Sequence, residues 1–551
     1  MSLDKYFIYL KIQNGLIDSE TVIKLTVSFR NDTLMTEWNA SRVGGYMNFF
    51  EKVSRFGLIT IGLILEVIIV RNLFLFFTAH FVWIEVVLRL LSMIFIINII
   101  NNSRHLSADM LWILLIILFP IPGTVLFLLL GANLITSKTF KQLIKSTAES
   151  KKYFVQDETI LKELDEIAPQ MKGDFHYLSK TEGYSIYRNS DFDYYPLGDI
   201  GYPVMLEEMK KAKKFIFLEY FTIEKGNLWE GMHTILKEKV AQGLDVRVMY
   251  DDLVTIHSLP TSYADILERE GIKCVRYNKI NTFLGAVMNH RDHRKIMVID
   301  GIVAFSGGMN LADEYINQKM VFGHWKDNVI RVKGEAVWSY TVLFLTNWNA
   351  IRKTDDDYTV FKLDSATEYT DGYISPYGET PFDKENTGQN VYMNILNRSN
   401  KYVYICTPYL IIDTELENAL ILAAKRGVDV RIITPGIPDK KIVWNITRSF
   451  YHNLIDGGVK IYEYTPGFIH GKVFVSDDIV ATVGTINLDY RSLYLHFENG
   501  TYLYGSKKVL DVCDDMLDTI SKSHQVQKGE IKDGLLRRLL IGVVKLFAPL
   551  L

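Results

Sequence analysis

The 551-residue chain reads as a duplicated α/β fold preceded by N-terminal transmembrane helices. Three observations predict it. From about residue 170 onward, short apolar runs alternate with amphipathic helical patterns, the texture of helices covering a sheet. Two blocks of that region match: "AKKFIFLEYF" (212–221) and "AQGLDVRVMYDD" (241–252) are answered by "SNKYVYICTPYL" (399–410) and "KRGVDVRIITPG" (425–436). Hydrophobic residues make up 48% of the chain, and their excess gathers in long runs near the N-terminus.

Taken in order, residues 1–46 are mixed and weakly patterned. The Gly-Gly-Tyr-Met run that ends at Met47 can be encoded by a purine-rich ribosome-binding sequence followed by a start codon. Residues 1–46 are therefore expected to be a translated leader or a disordered segment, with Met47 the true start. Residues 47–136 are predicted to be membrane-anchoring helices. Three apolar stretches stand out there: Phe56–Thr78, Phe81–Ile100 and Met110–Gly131. The third has no charged residue and about the ~20 residues a bilayer requires, so it is expected to span. Pro120 and Pro122 are tolerable in such a helix. The first stretch holds Glu66 and Arg71, and the second holds Glu85 and Arg89 at a spacing that lets them pair on one helix face. Two or three spans are expected. Lys138, Lys141, Lys145, Lys151 and Lys152 follow, and such positive flanks place the rest of the chain on the cytoplasmic side.

Residues 137–370 and 371–530 are the two expected halves, and the Pro-, Gly- and Asn-bearing stretch 375–390 reads as their linker. The tail, 531–551, fits an amphipathic helix on an anionic membrane surface; a helix docked on the catalytic part is the alternative. The formal net charge of −3 gives no general drive toward nucleic acid. Three scattered cysteines argue against a disulfide framework and against a structural zinc site.

One pattern carries chemistry. "HRKIMVID" holds His293, Lys295 and Asp300; "HGKVFVSD" holds His470, Lys472 and Asp477. Gly307, Gly308 and Asn310 trail the first, and Gly484 and Asn487 trail the second at matching distances. A lone His-x-Lys is usually a solvated pair on a strand; two copies with matching leaders and trailers are not. On a strand, residues two apart share a face. Packed about a pseudo-twofold axis, the halves would bring two imidazoles and two ammoniums to one pocket suited to a phosphate. The lysines neutralise it, and Asn310 and Asn487 could donate to its oxygens. One neutral imidazole attacks phosphorus and the other serves as acid and base. Asp300 and Asp477 are expected to orient the histidines. No metal or cofactor is called for. Glu219, at the end of a predicted strand, and Tyr409 are further pocket candidates. Trp325 and Asp327 read as structural. Asp489, Arg491 and Ser492 either support the second half of the site or form a salt-bridged turn.

At these motifs, and at "GGMNLADEYIN", "HWKDNVIRVKGEAV", "TPYLIID" and "GTINLDYRSLYLHFE", the sequence resembles the phospholipase D superfamily and, more narrowly, bacterial cardiolipin synthases. The resemblance runs from roughly residue 50 to the C-terminus. It implies a phospholipase D-type α/β sandwich and an enzyme of the bacterial cell membrane. Its implied substrates are phospholipids: one phosphatidylglycerol would donate its phosphatidyl group to another, releasing glycerol and forming cardiolipin. It also implies His293 as nucleophile and His470 as acid and base. A hydrolase making phosphatidic acid, a nuclease of the same superfamily and a non-catalytic membrane scaffold are the competing readings.

Overall fold

The computed structural model describes residues 82–102, 106–128, 138–279, 289–354, 356–362, 371–383, 385–531, 534 and 542–545, with isolated positions 65, 68, 69, 71 and 72. The expected leader and the first apolar stretch up to residue 64 lie outside them.

Two mixed sheets of the same design form the main body. The first contains β1 (Ser190–Tyr195), β2 (Phe215–Tyr220), β3 (Asp245–Asp251), β4 (Lys273–Tyr277), β5 (Lys295–Ile299), β6 (Val303–Gly307) and β8 (Val329–Gly334), in the order β1-β8-β6-β5-β2-β3-β4. The second contains β9 (Tyr373–Glu379), β10 (Tyr402–Cys406), β12 (Asp429–Pro435), β13 (Lys460–Tyr464), β15 (Val473–Ser476), β16 (Val480–Gly484), β18 (Glu498–Tyr504) and β19 (Ser523–Gln525). Its order, read from the other edge, is β9-β18-β16-β15-β10-β12-β13-β19, the first sheet repeated with one added edge strand. In each, a parallel trio (β2-β3-β4 or β10-β12-β13) meets an antiparallel ladder at the strand that follows the His-x-Lys motif.

The first sheet is covered on both faces, so successive residues of one strand enter different cores. Phe215 and Phe217 join a large core that also takes Tyr377 and Val403 from the second half. Ile216 and Leu218 join a smaller core with Trp229 and Val246. The helix Val337–Arg352 is buried from Val337 through Ala350 and belongs to the shared core.

Among the described residues, four short pairings stitch the halves together, one of them the bridge from Gly323 to Gly467. β7 (His324–Lys326) pairs in parallel with β14 (Gly467–Ile469). Asp292 bridges to Phe497, and Tyr187 to Ile374. The remaining two-stranded sheet, β11 (Leu410–Ile411) with β17 (Leu488–Asp489), lies within the second half.

Three expectations are corrected. First, among the described residues no helix is long and apolar enough to cross a membrane. The stretch expected to span from Met110 is broken. α2 (Leu106–Leu118) ends, and α3 (Pro120–Leu126) begins with Pro120 in its first turn. The chain folds back: the Trp112 and Phe127 rings lie 5.7 Å apart, where an unbroken helix would separate them by about 22 Å. Gly123 permits the close approach, since a Cβ there would sit 2.4 Å from the Leu115 carbonyl oxygen. Ile117, Leu118 and Phe119 are exposed at the bend. α1 (Val82–Asn102) packs against this hairpin, with the Ser92 hydroxyl 2.8 Å from the Pro120 carbonyl and 2.9 Å from the Thr124 hydroxyl. Second, the stretch 375–390 is no linker. Its first residues belong to β9, an edge strand laddered to β18 and bridged on its outer side at Ile374 to Tyr187, where Pro376 costs no ladder bond. Its last residues open the helix Thr387–Arg398. Third, the motif histidines precede their strands rather than belong to them. Of the tail, the described turn 542–545 is helical, with the Lys545 ammonium 4.0 Å over the Phe450 ring, as in the docked alternative.

Candidate active site

His293 and His470 line one cavity of about 280 Å³ between the halves. Each is set there by a backbone crossing. His293 N–H donates to the Phe497 carbonyl (2.9 Å), and His470 N–H donates to the Lys326 carbonyl (2.7 Å). Each histidine is thus anchored to the opposite half.

The same crossing supplies the carboxylates. His293 Nδ1 lies 2.8 Å from both oxygens of Glu498, and His470 Nδ1 lies 2.6 Å from Asp327 Oδ2. An ionised carboxylate only accepts, so each contact favours the ring proton on Nδ1 and a free lone pair on Nε2, and at His470 the shorter Asp327 contact competes with the Lys472 ammonium 2.9 Å from the same Nδ1. The carboxylates are themselves held. Thr485 Oγ1 donates to Glu498 (2.5 Å), and the Asn328 N–H donates to Asp327 (2.8 Å). Gly308 packs against Asp327 so closely that a Cβ would fall 2.0 Å from its Oδ1.

Lys295 and Lys472 are both 1% exposed, and each ammonium donates back to the carbonyl of its own motif histidine. Burial lowers Lys295 to about 7, with Lys472 adding to the fall and Glu498 opposing it. Burial lowers Lys472 to about 8 against the pull of Asp327 and Glu498. Burial and Lys472 hold His470 at about 4, and burial with both lysines pushes His293 well below the usual imidazole range. Burial alone would raise Asp327, but His470 and Lys472 outweigh it and keep the carboxyl ionised. Two ammoniums then balance two carboxylates, and one phosphodiester anion is matched when one imidazole is protonated. Aromatic rings wall the histidines: Phe221 stands 4.6 Å from His293, and Tyr315 stands 5.4 Å from His470.

Asp300 and Asp477 do not meet the histidines. Both sit at positive φ (55°) at the start of three-residue hairpin loops, 300–302 and 477–479, where Gly301 and Asp478 also have positive φ. Asp300 accepts the backbone N–H groups of Lys213, Lys214 and Phe215; Asp477 accepts those of Asn400, Lys401 and Tyr402. They tie the motif hairpin to the start of the neighbouring strand. Glu219 is also displaced from the expected place. It is buried beside Asn347 (3.0 Å) and Arg294 (3.8 Å), because the strand turns it toward the central helix rather than the cavity. Asn310, Asn487 and Tyr409 line the cavity. Asn310 donates to the Tyr315 hydroxyl (2.8 Å) and accepts from the Thr222 N–H. Tyr409 donates to Asp439 (2.6 Å). Asp489 caps the turn at Ser492 (2.9 Å).

Sequence reasoning missed Asp327 and Glu498 as partners, and His496 altogether. A signal existed: each acid is followed by Asn, in Asp327-Asn328 and Glu498-Asn499. The two acids differ in type and in distance from their motifs, so the repeat is hard to see. His293, His496 and Glu498 also place one potential metal-ligand atom each within 4.8 Å of one another.

The family profile described as "Cardiolipin synthase, PLD-like domain" matches residues 205–336 and 392–520, one match per half. A cardiolipin synthase of Alkalihalophilus pseudofirmus is 32% identical over 84% of this chain and 92% of its own length. The chain belongs to the cardiolipin synthase family. An uncharacterized protein of Streptococcus mutans is 45% identical over 83% of this chain and 99% of its own length. A crystal structure of phosphatidylserine synthase from Haemophilus influenzae superposes with a TM-score of 0.50 at 17% identity, covering 65% of this chain and 95% of that one. That likeness shows a shared fold.

Proposed function

We propose that the protein is a cardiolipin synthase, a phosphatidyltransferase that moves a phosphatidyl group from one phosphatidylglycerol to another through a phosphohistidine. The observation that carries this reading is the pair of histidines on one cavity, each with Nδ1 on a buried carboxylate and with two buried lysines alongside.

His293 Nε2 attacks phosphorus. The bond from phosphorus to the glycerol oxygen breaks, and protonated His470 gives that oxygen its proton. The terminal hydroxyl of a second phosphatidylglycerol then attacks phosphorus while neutral His470 takes its proton, and the P–N bond breaks. His470 suits the acid role because it holds a proton more readily than His293. Lys295 and Lys472 bear on the phosphoryl charge. Acid–base help of this kind contributes about 10²–10⁴-fold.

Catalysis takes place at a membrane surface. The apolar helices α1, α2 and α3 enter the bilayer, with the exposed Ile117-Leu118-Phe119 bend leading, and the body lies on the cytoplasmic side with Lys141, Lys145, Lys151 and Lys152 facing anionic lipid.

The test is purified protein in mixed micelles with phosphatidylglycerol as the sole phospholipid. Equal cardiolipin and glycerol with little phosphatidic acid is the expected result. Mostly phosphatidic acid would replace transfer by hydrolysis.

A further inference from the structure

His496 has no assigned work in the transfer chemistry. It is 6% exposed and lines the cavity, and neither of its ring nitrogens has a hydrogen-bond partner among the described residues. Its ring centre is 5.7 Å from that of His293. One oxygen of Glu498 serves both rings: Oε1 stands 2.8 Å from His293 Nδ1 and 3.6 Å from His496 Nδ1. The second separation is too long for a hydrogen bond. A buried imidazole left unpaired beside a carboxylate is costly, and a group that joins the two removes that cost.

These spacings suit a metal ion. Zinc holds nitrogen at about 2.0–2.1 Å and carboxylate oxygen at about 2.0–2.2 Å, so two ligands of a tetrahedral ion stand about 3.4 Å apart. The separations of 2.8 and 3.6 Å fall on either side of that value. One ligand atom from each of His293, His496 and Glu498 lies within 4.8 Å of the others, so small side-chain movements close the set. The other oxygen of Glu498 accepts from Thr485 Oγ1, an outer contact of the kind that orients a ligating carboxylate. Burial holds His496 at about 3 and His293 well below the usual imidazole range, so both rings are neutral, as a metal requires. Lys295 and Lys472 oppose a cation at His293, and Arg491 opposes one at His496. Two imidazoles and one carboxylate therefore select a strongly bound transition metal over magnesium or calcium, which take oxygen ligands.

We propose that His293, His496 and Glu498 form an inhibitory site for a divalent transition metal of the zinc type. The proposal rests on the transfer reading above and adds a regulator to the same cavity. The metal takes Nδ1 of His293, and the one proton of the neutral ring moves to Nε2. Nε2 then has no lone pair for phosphorus, and Glu498 no longer holds the reactive tautomer. No bond to the lipid forms or breaks, so removing the metal restores the enzyme.

The test uses the whole chain in mixed micelles, first freed of metal with a chelator. Zinc is titrated into phosphatidylglycerol turnover. In micelles without phosphatidylglycerol, cobalt(II) replaces zinc and its visible absorption reports the ligands. Wild type, His496→Asn and His496→Ala are compared, each against its own zinc-free rate, with thermal unfolding to confirm the fold. Wild type is expected to lose turnover as zinc is added, to recover it with chelator and to show the strong absorption of tetrahedral cobalt. Both variants are expected to need about 100-fold more zinc for half-inhibition and to lose that absorption. Zinc sensitivity and cobalt absorption that are equal in all three proteins would overturn the site, since zinc on anionic headgroups or surface histidines acts on them alike. Cobalt absorption that needs His496, with turnover indifferent to zinc, would overturn the inhibitory role. Turnover lost on chelation and restored by zinc would make the metal a cofactor and overturn it too. If wild type turns over no phosphatidylglycerol but shows His496-dependent cobalt absorption, the transfer reading fails and the metal site stands; normal turnover without that absorption sinks the metal site alone.

Discussion

Asp327 and Glu498 decide which nitrogen of each histidine can react. Asp327→Asn or Glu498→Gln leaves the shape but lets the ring adopt the wrong tautomer. Each is expected to lower turnover by about 10³-fold with the melting temperature little changed. Asp300→Asn separates the two roles of acid in this molecule. Its carboxylate serves three backbone N–H groups, so the substitution is expected to cost about 1–3 kcal/mol of stability, read in a denaturant titration, while turnover per folded molecule holds. The lysines set the pH dependence. Lys295 and Lys472 titrate at about 7 and about 8 in the fold, so kcat/KM should fall as pH rises through that range and the phosphate loses its cations. Stability should move the other way. Above pH 7 these lysines bind fewer protons folded than unfolded, so their contribution rises with pH until the unfolded lysine pKa near 10.4. The His and Lys positions were legible because the motif repeats. The role of Asp was misjudged because "IDG" at 299–301 and "SDD" at 476–478 also encode hairpin turns, and only the three-dimensional pairing shows that the turn is its work.

At the scale of elements, the alternation of strand and helix was readable from hydrophobic period alone, and both copies folded to one strand order. Pro and Gly were harder to place. Pro376 looked like a break and proved to be an edge position; Pro120 looked tolerable and proved to end a helix. Neither depends on local sequence, since what matters is which neighbour a missing N–H would have met. Gly308 sits at the junction of element and site. Gly308→Ala must displace the Asp327 carboxylate, and a shift of about 1 Å there is expected to cost on the order of 10²-fold in turnover. At the helical hairpin, Leu118→Asp with Phe119→Asp should weaken co-sedimentation with anionic vesicles and leave the thermal unfolding of the catalytic body unchanged.

The whole molecule is two copies of one unit that each lack something. Duplication was evident in the sequence; the exchange of carboxylates was not, because His293 and Glu498 are far apart in the chain and meet only through the Asp292–Phe497 crossing. The exchange makes the pairs energetic units. His293→Ala and Glu498→Gln should therefore be strongly non-additive, the double variant no slower than His293→Ala alone by steady-state assay.

The crossing also governs timing during synthesis. The ribosome makes His293, Lys295, Asp327, His470 and Lys472 before it reaches Glu498. Until then His293, the proposed nucleophile, has no carboxylate to hold its Nδ1 proton, and strand β18 is missing from the second sheet. Such a chain already carries both motif histidines, yet it is unarmed. A product cut short before Glu498 is therefore expected to carry both motif histidines and yet show no phosphatidyl transfer.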